Sequence, residues 1–139
     1  MDKRAFVREV AHRLRADEQR AEAVTGVVFT ELRDRLTPKE AADVAAQLSI
    51  DLRRLWSEMD PPPGGIRKVH APEFLARVQH FGGLTDDAEA LRAVNAVFGT
   101  LQLLLGSPDG LRGEAWDVFS VLPGDLKRIW LDASRRDEA

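Results

Sequence analysis

The residues from Glu40 to Trp56, EAADVAAQLSIDLRRLW, recur without a gap from Glu114 to Trp130 as EAWDVFSVLPGDLKRIW. Nine of the seventeen aligned positions are identical at an offset of 114 − 40 = 74. Because these residues are mostly of the kinds that pack or begin helices, the repeat predicts architecture rather than chemistry. The identical pairs are Glu40/Glu114, Ala41/Ala115, Asp43/Asp117, Val44/Val118, Leu48/Leu122, Asp51/Asp125, Leu52/Leu126, Arg54/Arg128 and Trp56/Trp130.

The likeness extends upstream of these two segments, with offsets that change where the loops differ in length. Val28-Phe29 corresponds to Val97-Phe98 at an offset of 69, and Phe6 corresponds to Phe74 at an offset of 68. Apolar residues recur there at spacings of three and four, which predicts amphipathic helices. The sequence therefore predicts an all-α fold of about eight helices, in two similar four-helix repeats packed about a pseudo-two-fold axis.

A proline- and glycine-rich segment, Pro61-Pro62-Pro63-Gly64-Gly65, interrupts the helical pattern between the two copies. We interpret residues 1–139 as a single domain made of a first repeat (2–60), a connector (61–71) and a second repeat (72–133). The charged residues 134–139 are predicted to fray as a tail. A chain of this length can bury a substantial core.

Local signals predict where individual helices begin and bend. Thr37-Pro38 predicts the start of the third helix, because threonine can cap it and proline suits the first helical position. Glu40 is placed to complete a capping box there. Thr85 is the predicted cap of the sixth helix. Pro123 predicts a break between the seventh and eighth helices, and Ser49 holds the matching position in the first copy.

Composition excludes several classes of protein. Without cysteine the chain can have no disulfide framework, no cysteine-ligated zinc and no thiol nucleophile. The net charge of −3 gives no general reason to expect nucleic acid or an anionic membrane as a partner. The N-terminus lacks the apolar core of a signal peptide, and the most apolar stretch, Val97 to Leu105, is too short to span a bilayer. We therefore expect a cytoplasmic protein that does not act in the membrane.

Three patterns occur in the same order in both halves, and together they resemble the bacterial family catalogued as domain of unknown function 2267. They are Phe-x-x-x-Val, Val-Phe-x-x-Leu and Glu-Ala-x-Asp-Val-x-x-x-Leu-x-x-Asp-Leu-x-Arg-x-Trp. The resemblance runs from Phe6 to Trp56 and from Phe74 to Trp130. It implies an all-helical fold with paired repeats, and it implies no established activity, cofactor or catalytic residue. One departure is that Leu48 is followed by Ser49, where the family commonly has proline in both copies.

The three tryptophans carry different expectations. Trp56 and Trp130 close the repeated segment on an apolar stripe, so we expect them to be buried anchors of the core. Trp116 has no tryptophan counterpart in the first half, which makes it a candidate for contact between the repeats or with a partner. One hypothesis is a pocket for a small apolar ligand between the repeats, lined by Trp116, Phe119 and Phe98.

Residues 38–56 also have the general pattern of a helix-turn-helix, whose second helix would offer Arg53 and Arg54 to DNA. Asp51 would then face phosphate near the start of that helix, and the turn lacks the usual glycine. Since the chain is also acidic overall, we rank DNA binding below the other hypotheses.

No combination of residues predicts catalysis. His12, His70 and His80 lack the four-residue spacing of a helical metal site, although a site that adds Asp86, Asp87 or Glu89 stays open. The duplicated acids have structural roles available, at helix starts for Asp51 and Asp125 and in ion pairs for Asp43 and Asp117. We therefore expect no catalytic residue, no cofactor and no metal.

These observations favour a non-enzymatic protein-interaction or structural module. It would act with an unidentified protein partner or with a second copy of itself, through a helical groove or an exposed apolar patch. A small apolar ligand between the repeats is the alternative, and DNA binding through residues 38–56 is the third hypothesis.

Overall fold

The computed structural model describes residues 1–57 and 71–135, and this part of the chain holds eight α-helices and no strand. The predicted all-α class is confirmed. The connector predicted at 61–71 lies outside the described residues except for Ala71. Residues 58–60, at the end of the first predicted repeat, and residues 136–139 of the predicted tail also lie outside them. The helices are α1 (Lys3–Leu14), α2 (Glu18–Arg33), α3 (Pro38–Gln47), α4 (Ile50–Ser57), α5 (Ala71–Gly82), α6 (Asp87–Leu104), α7 (Gly113–Val121) and α8 (Gly124–Arg135).

Side chains cap the first turns of four helices. In each case the N-cap side chain accepts a hydrogen bond from the backbone amide three residues further on, at 2.7 to 3.1 Å. Thr37 caps α3, as predicted. The prediction for Thr85 is wrong: Asp86 is the N-cap of α6, and the Thr85 hydroxyl donates to Glu89. An aspartate carboxylate at this position also interacts favourably with the helix dipole. The four caps are Asp2, Asp17, Thr37 and Asp86.

The chain bends in the same way between α3 and α4 as between α7 and α8. Leu48 has φ −90° and ψ 146°, and Leu122 has φ −76° and ψ 146°. Each leucine amide donates to the carbonyl three residues earlier, at 3.1 Å and 3.2 Å. The following residue is Ser49 in one copy and Pro123 in the other, so the bend does not depend on proline.

The two longest helices, α2 and α6, lie at the centre of the molecule. Residues 24–32 of α2 and 93–102 of α6 are continuously buried, which is typical of helices surrounded by others. Helix α1 packs against both of them, and so does α5. Within the described residues no helix has both the length and the apolar character needed to cross a membrane.

Two groups of three aromatic rings form the densest parts of the core. The Phe29 ring lies 5.3 Å from that of Phe6 and 5.2 Å from that of Trp56, measured between centroids. All of these rings are buried, as predicted for the two repeated tryptophans. Such tilted contacts between rings add to the stabilisation from apolar burial. The second group has the same make-up, with Phe98 at 6.1 Å from Phe74 and 5.1 Å from Trp130.

The duplicated aspartates at the starts of α4 and α8 hold the starts of other helices. Asp51 accepts the backbone amide of Lys3 at 3.2 Å, at the beginning of α1. Asp125 accepts the backbone amide of Ala71 at 2.8 Å, at the beginning of α5. These acids therefore satisfy helix amides that would otherwise lack a partner, which is a structural role.

One buried ionic cluster joins α2 to α5. The carboxylate of Glu31 accepts from Arg35 at 3.0 Å and from Arg77 at 2.7 Å. Glu31 and Arg35 are almost fully buried, and the Arg35 guanidinium lies 5.1 Å from the Phe74 ring centroid. Because buried charges need close partners, this cluster fixes how the two helices meet.

Candidate functional site on helices α3 and α7

Trp116 lies on the outer face of α7 and is 48% exposed, whereas Trp56 and Trp130 are 2% and 0% exposed. Its ring lies 5.4 Å from that of Phe119, one helical turn further on. The Lys127 ammonium lies 5.6 Å from the Phe119 ring centroid. A large, partly supported aromatic surface is thus presented to solvent at this point, and we call Trp116 and Phe119 the aromatic pair.

Carboxylates converge where α3 packs against α7, on a different side of α7 from the aromatic pair. Oxygen atoms of Glu40, Asp43 and Glu114 all lie within 4.8 Å of one another. The reason is in the repeated Glu-Ala-x-Asp motif, which places an acid at i and i+3 on one face of each helix. Asp117 is the fourth acid of the two motifs, and it is more exposed. We call these four residues the acidic cluster.

Glu114 is the member of the acidic cluster whose pKa is raised. Burial raises the pKa of Glu114 to about 7, and the neighbouring charges of Asp117, Asp43 and Glu40 add to this. Buried oxygens of Glu114 and Glu40 have no hydrogen-bond partner among the described residues. Lys39 lies 3.5 Å from Asp43. Glu114 therefore holds a proton over much of the range up to neutral pH.

The chemistry open to this arrangement is limited by its ligand atoms. Within residues 1–57 and 71–135, Glu40, Asp43 and Glu114 are the only three acidic or histidine side chains that converge closely enough to share an ion. Carboxylate oxygens suit hard cations such as Ca²⁺ or Mg²⁺. The same oxygens also attract basic side chains, which need no fixed coordination geometry.

The structure separates the residues that the sequence predicted for a ligand pocket. Trp116 and Phe119 touch each other on the surface, whereas Phe98 is fully buried between Phe74 and Trp130 in the core. The packing of α6 therefore takes Phe98 away from the aromatic pair.

The two arginines predicted for DNA contact have different surroundings. The guanidinium of Arg53 donates to the carbonyls of Ala45 at 3.0 Å and Leu48 at 3.1 Å, at the end of α3. It thereby pairs the Leu48 carbonyl and gives the Ala45 carbonyl, which already accepts from the Leu48 amide, a second donor. Arg54 is exposed on α4.

The histidines do not come together with the acids named beside them in the sequence. His12 and His80 are both exposed, on α1 and α5. His80 stacks edge-on to Phe81 at 4.9 Å. His70 lies outside the described residues. Asp86 and Glu89 are occupied at the start of α6, where Asp86 caps the helix and Glu89 accepts from Thr85 and Arg20.

Sequence reasoning missed the acidic cluster, although a signal was present. The sequence alone predicts a capping role for Glu40 and ion pairs for Asp43 and Asp117. The doubled Glu-Ala-x-Asp motif indicates an acidic stripe on two helices. It becomes a site only because α3 and α7 lie against each other, and a contact between distant segments cannot be read from either one.

Comparison with known proteins gives a family and no activity. The model of a family described as uncharacterized conserved protein (DUF2267) matches residues 3–107, about three quarters of the chain. The matched range covers α1 to α6 and includes Glu40 and Asp43, but ends before Glu114 and Trp116 on α7. The chain matches no curated protein.

Proposed function

We propose that this chain, which belongs to the DUF2267 family of uncharacterised conserved proteins, is a non-enzymatic module that binds a protein partner through the aromatic pair and the acidic cluster. The observation that carries the proposal is the exposure of Trp116 in a chain whose other two tryptophans are buried. Tryptophan is enriched among the residues that dominate the energy of protein interfaces.

The side chains on this surface indicate which class of partner we propose. An exposed indole on a helix that also carries two of the four carboxylates favours a segment that combines apolar and basic side chains. A cationic amphipathic helix meets both requirements, since its apolar stripe can cover Trp116 while its lysines or arginines reach Glu40, Asp43 and Asp117. Such a helix could lie alongside α7.

We further propose that the scaffold behind this surface consists of two repeats related by a pseudo-two-fold axis. Three matched features support this relation: the aromatic groups around Phe29 and Phe98, the helix-start contacts of Asp51 and Asp125, and the packing of α1 and α5 on both central helices. Under this symmetry α3 and α7 are equivalent, so the acidic cluster would lie on the axis. Trp116 would then be an addition to one repeat only.

The proposal can be tested first with a defined probe. A helical peptide of leucine and lysine should bind the purified chain and change its tryptophan fluorescence, and a leucine–glutamate peptide of equal length should not. The Trp116→Ala variant should lose about tenfold or more in affinity, as expected of an aromatic residue at an interface centre. Phe81→Ala is the matched control, because Phe81 is 54% exposed on α5, outside the aromatic pair and the acidic cluster.

The natural partner can then be sought with the same variants. A protein captured from the source cells by the wild-type chain should be purified and titrated against wild type, Trp116→Ala and Phe81→Ala. Selective loss with Trp116→Ala supports the proposal, while equal affinity for all three contradicts it. Sedimentation showing a dimer of the chain that Trp116→Ala dissolves would also count against it, because the surface would then be filled by a second copy.

A further inference from the structure

A cavity of about 290 Å³ lies where the turn between α1 and α2 meets the turn between α5 and α6. Three arginines line it: Arg15, Arg20 and Arg92. Apolar side chains line the rest, among them Val24, Leu84 and Ala93. The cavity shares no residue with the acidic cluster or the aromatic pair.

The two acids at this cavity already accept hydrogen bonds from nearby groups. Glu89 accepts from Arg20 at 2.7 Å and from the Thr85 hydroxyl at 2.5 Å, and these bonds hold the pKa of Glu89 at about 2. Asp17 accepts the backbone amide of Arg20 at 2.7 Å as the cap of α2. Three arginines against two acids leave a net charge of +1, carried by the exposed Arg15 and Arg92.

The backbone of Arg15 gives an independent reason to assign its side chain a role. Arg15 has φ +55°, and it is the only residue other than glycine with a positive φ in the described part of the chain. The position that matches it at the offset of 68 is Gly83, with φ +64°. Glycine adopts this conformation without steric cost, whereas an L side chain is disfavoured by about 1 kcal/mol or more. Arg15 thus holds a backbone conformation that glycine adopts at lower energy, and it lines the cavity.

We infer that this cavity binds a small organic anion, with a carboxylate or phosphate group held by Arg15 and Arg92 and an apolar body against Val24, Leu84 and Ala93. Arg20 is fixed in place by Glu89, so it shapes the wall and adds a third cation near the anionic group. A volume of about 290 Å³ is close to the lower end of the usual range for small-molecule sites, which suits a short acyl or alkyl chain.

A second cavity offers a contrast. It measures about 470 Å³ and is lined by Lys3, Arg4, Glu18 and Glu22, among others. Its charges pair with one another or with neighbours: Lys3 lies 3.3 Å from Glu22, and Glu18 lies 3.7 Å from Arg8. No excess of one charge remains to select a ligand there.

The test uses titrations followed by the NMR amide signals of Leu84 and Ala93. Hexanoate and hexyl phosphate are the two anionic probes, and hexanol is the neutral control of equal chain length. We expect saturable shifts with at least one anion and none with hexanol, and the comparison of the two anions identifies the preferred head group. If neither anion binds, or if hexanol binds as tightly, the inference is overturned.

Two variants separate binding from folding. Arg15→Gly removes the guanidinium and relieves the backbone, so it should weaken anion binding by about 5- to 10-fold while the melting temperature stays equal or rises. Arg92→Ala should weaken binding by a similar factor. Arg128→Ala, at an exposed position on α8, is the control for the lost charge and should leave affinity unchanged. Unchanged affinity in Arg15→Gly would contradict the inference.

Discussion

The indole nitrogen of Trp130 donates a hydrogen bond of 2.7 Å to the carbonyl oxygen of Gly110. Gln102 completes the arrangement by donating to the Trp130 carbonyl at 2.8 Å. The loop between α6 and α7 is thereby fastened to the core through the last residue of the repeated segment. In the first half, Arg33 donates to the carbonyl of Trp56 at the matching position.

Gly110→Ala should destabilise the fold by about 2–4 kcal/mol. Gly110 has φ +75°, and an added Cβ would lie 2.8 Å from both Gln102 Nε2 and Trp130 Nε1, so the variant combines backbone strain with a clash in the core. Chemical denaturation measures the loss. Gly106→Ala is a matched control, because Gly106 has φ +74° with nothing within 4 Å, and it should cost only about 1 kcal/mol. An equal loss of unfolding free energy in the two variants would show that Gln102 and Trp130 move aside for the added methyl group at little energetic cost.

Glu114→Gln should stabilise the chain at pH 8 and have little effect at pH 5. The pKa of Glu114 is raised from 4.5 to about 7 in the fold, so the folded state keeps its proton while the unfolded state loses it as the pH rises. The unfolding free energy therefore falls between about pH 4.5 and pH 7, and the penalty is complete above pH 7.

For this partly exposed group the gain at pH 8 should be on the order of 1 kcal/mol, because solvent screens part of the repulsion. Urea denaturation at both pH values measures it. Asp132→Asn, at an exposed position on α8 outside the acidic cluster, is the control for replacing a carboxylate by an amide. A pH-independent effect of Glu114→Gln would mean that the acidic cluster does not raise the pKa of Glu114.

Glu31→Ala should cost about 3–5 kcal/mol, because it leaves Arg35 buried and Arg77 partly buried without their carboxylate. Thermal and chemical unfolding should both report the loss. The exposed pair of Arg8 and Glu18 provides the comparison, and Glu18→Gln should produce no measurable change. A small effect of Glu31→Ala would indicate that water reaches the two guanidinium groups.

Ser49→Pro should be tolerated and should stabilise the chain by roughly 0.5–1 kcal/mol. Leu48 already has the extended conformation that a following proline requires, and Pro123 occupies the matching position after Leu122. The lost contact is the hydrogen bond from the Ser49 hydroxyl to Asp51, at an exposed position. Gln47→Pro, inside the last turn of α3, should instead destabilise by about 3 kcal/mol. Destabilisation by Ser49→Pro would show that the two bends differ.

Much of the fold could be predicted because its signals are local or repeated. The apolar periodicity, the Thr37 cap and the duplicated Trp56 and Trp130 each depend on short segments, and the structure places them as expected. The error at Thr85 arose because two adjacent residues can both cap a helix, and the choice between them depends on loop geometry.

The sites were harder to predict, since each is assembled from distant segments. Glu40 comes close to Glu114 only because α3 packs on α7. Arg15 and Arg92 line the same cavity only because the turn after α1 lies beside α6. The exposure of Trp116 could be suspected from its lack of a counterpart. The burial of Phe98 follows from its place in the repeat, where it matches the buried Phe29.

The bond between Arg77 and Glu31 also determines which partners the two halves can accept. At the offsets of the repeat, Arg77 corresponds to Glu9 and Glu31 corresponds to Thr100. If two molecules exchanged halves so that first half met first half, Glu9 would oppose Glu31, and two second halves would leave Arg77 facing a threonine. Like-charge contact and an uncompensated cation both disfavour these assemblies. Under the proposed pseudo-two-fold relation, the Arg77–Glu31 pair therefore favours contact between a first and a second half over contact between two like halves.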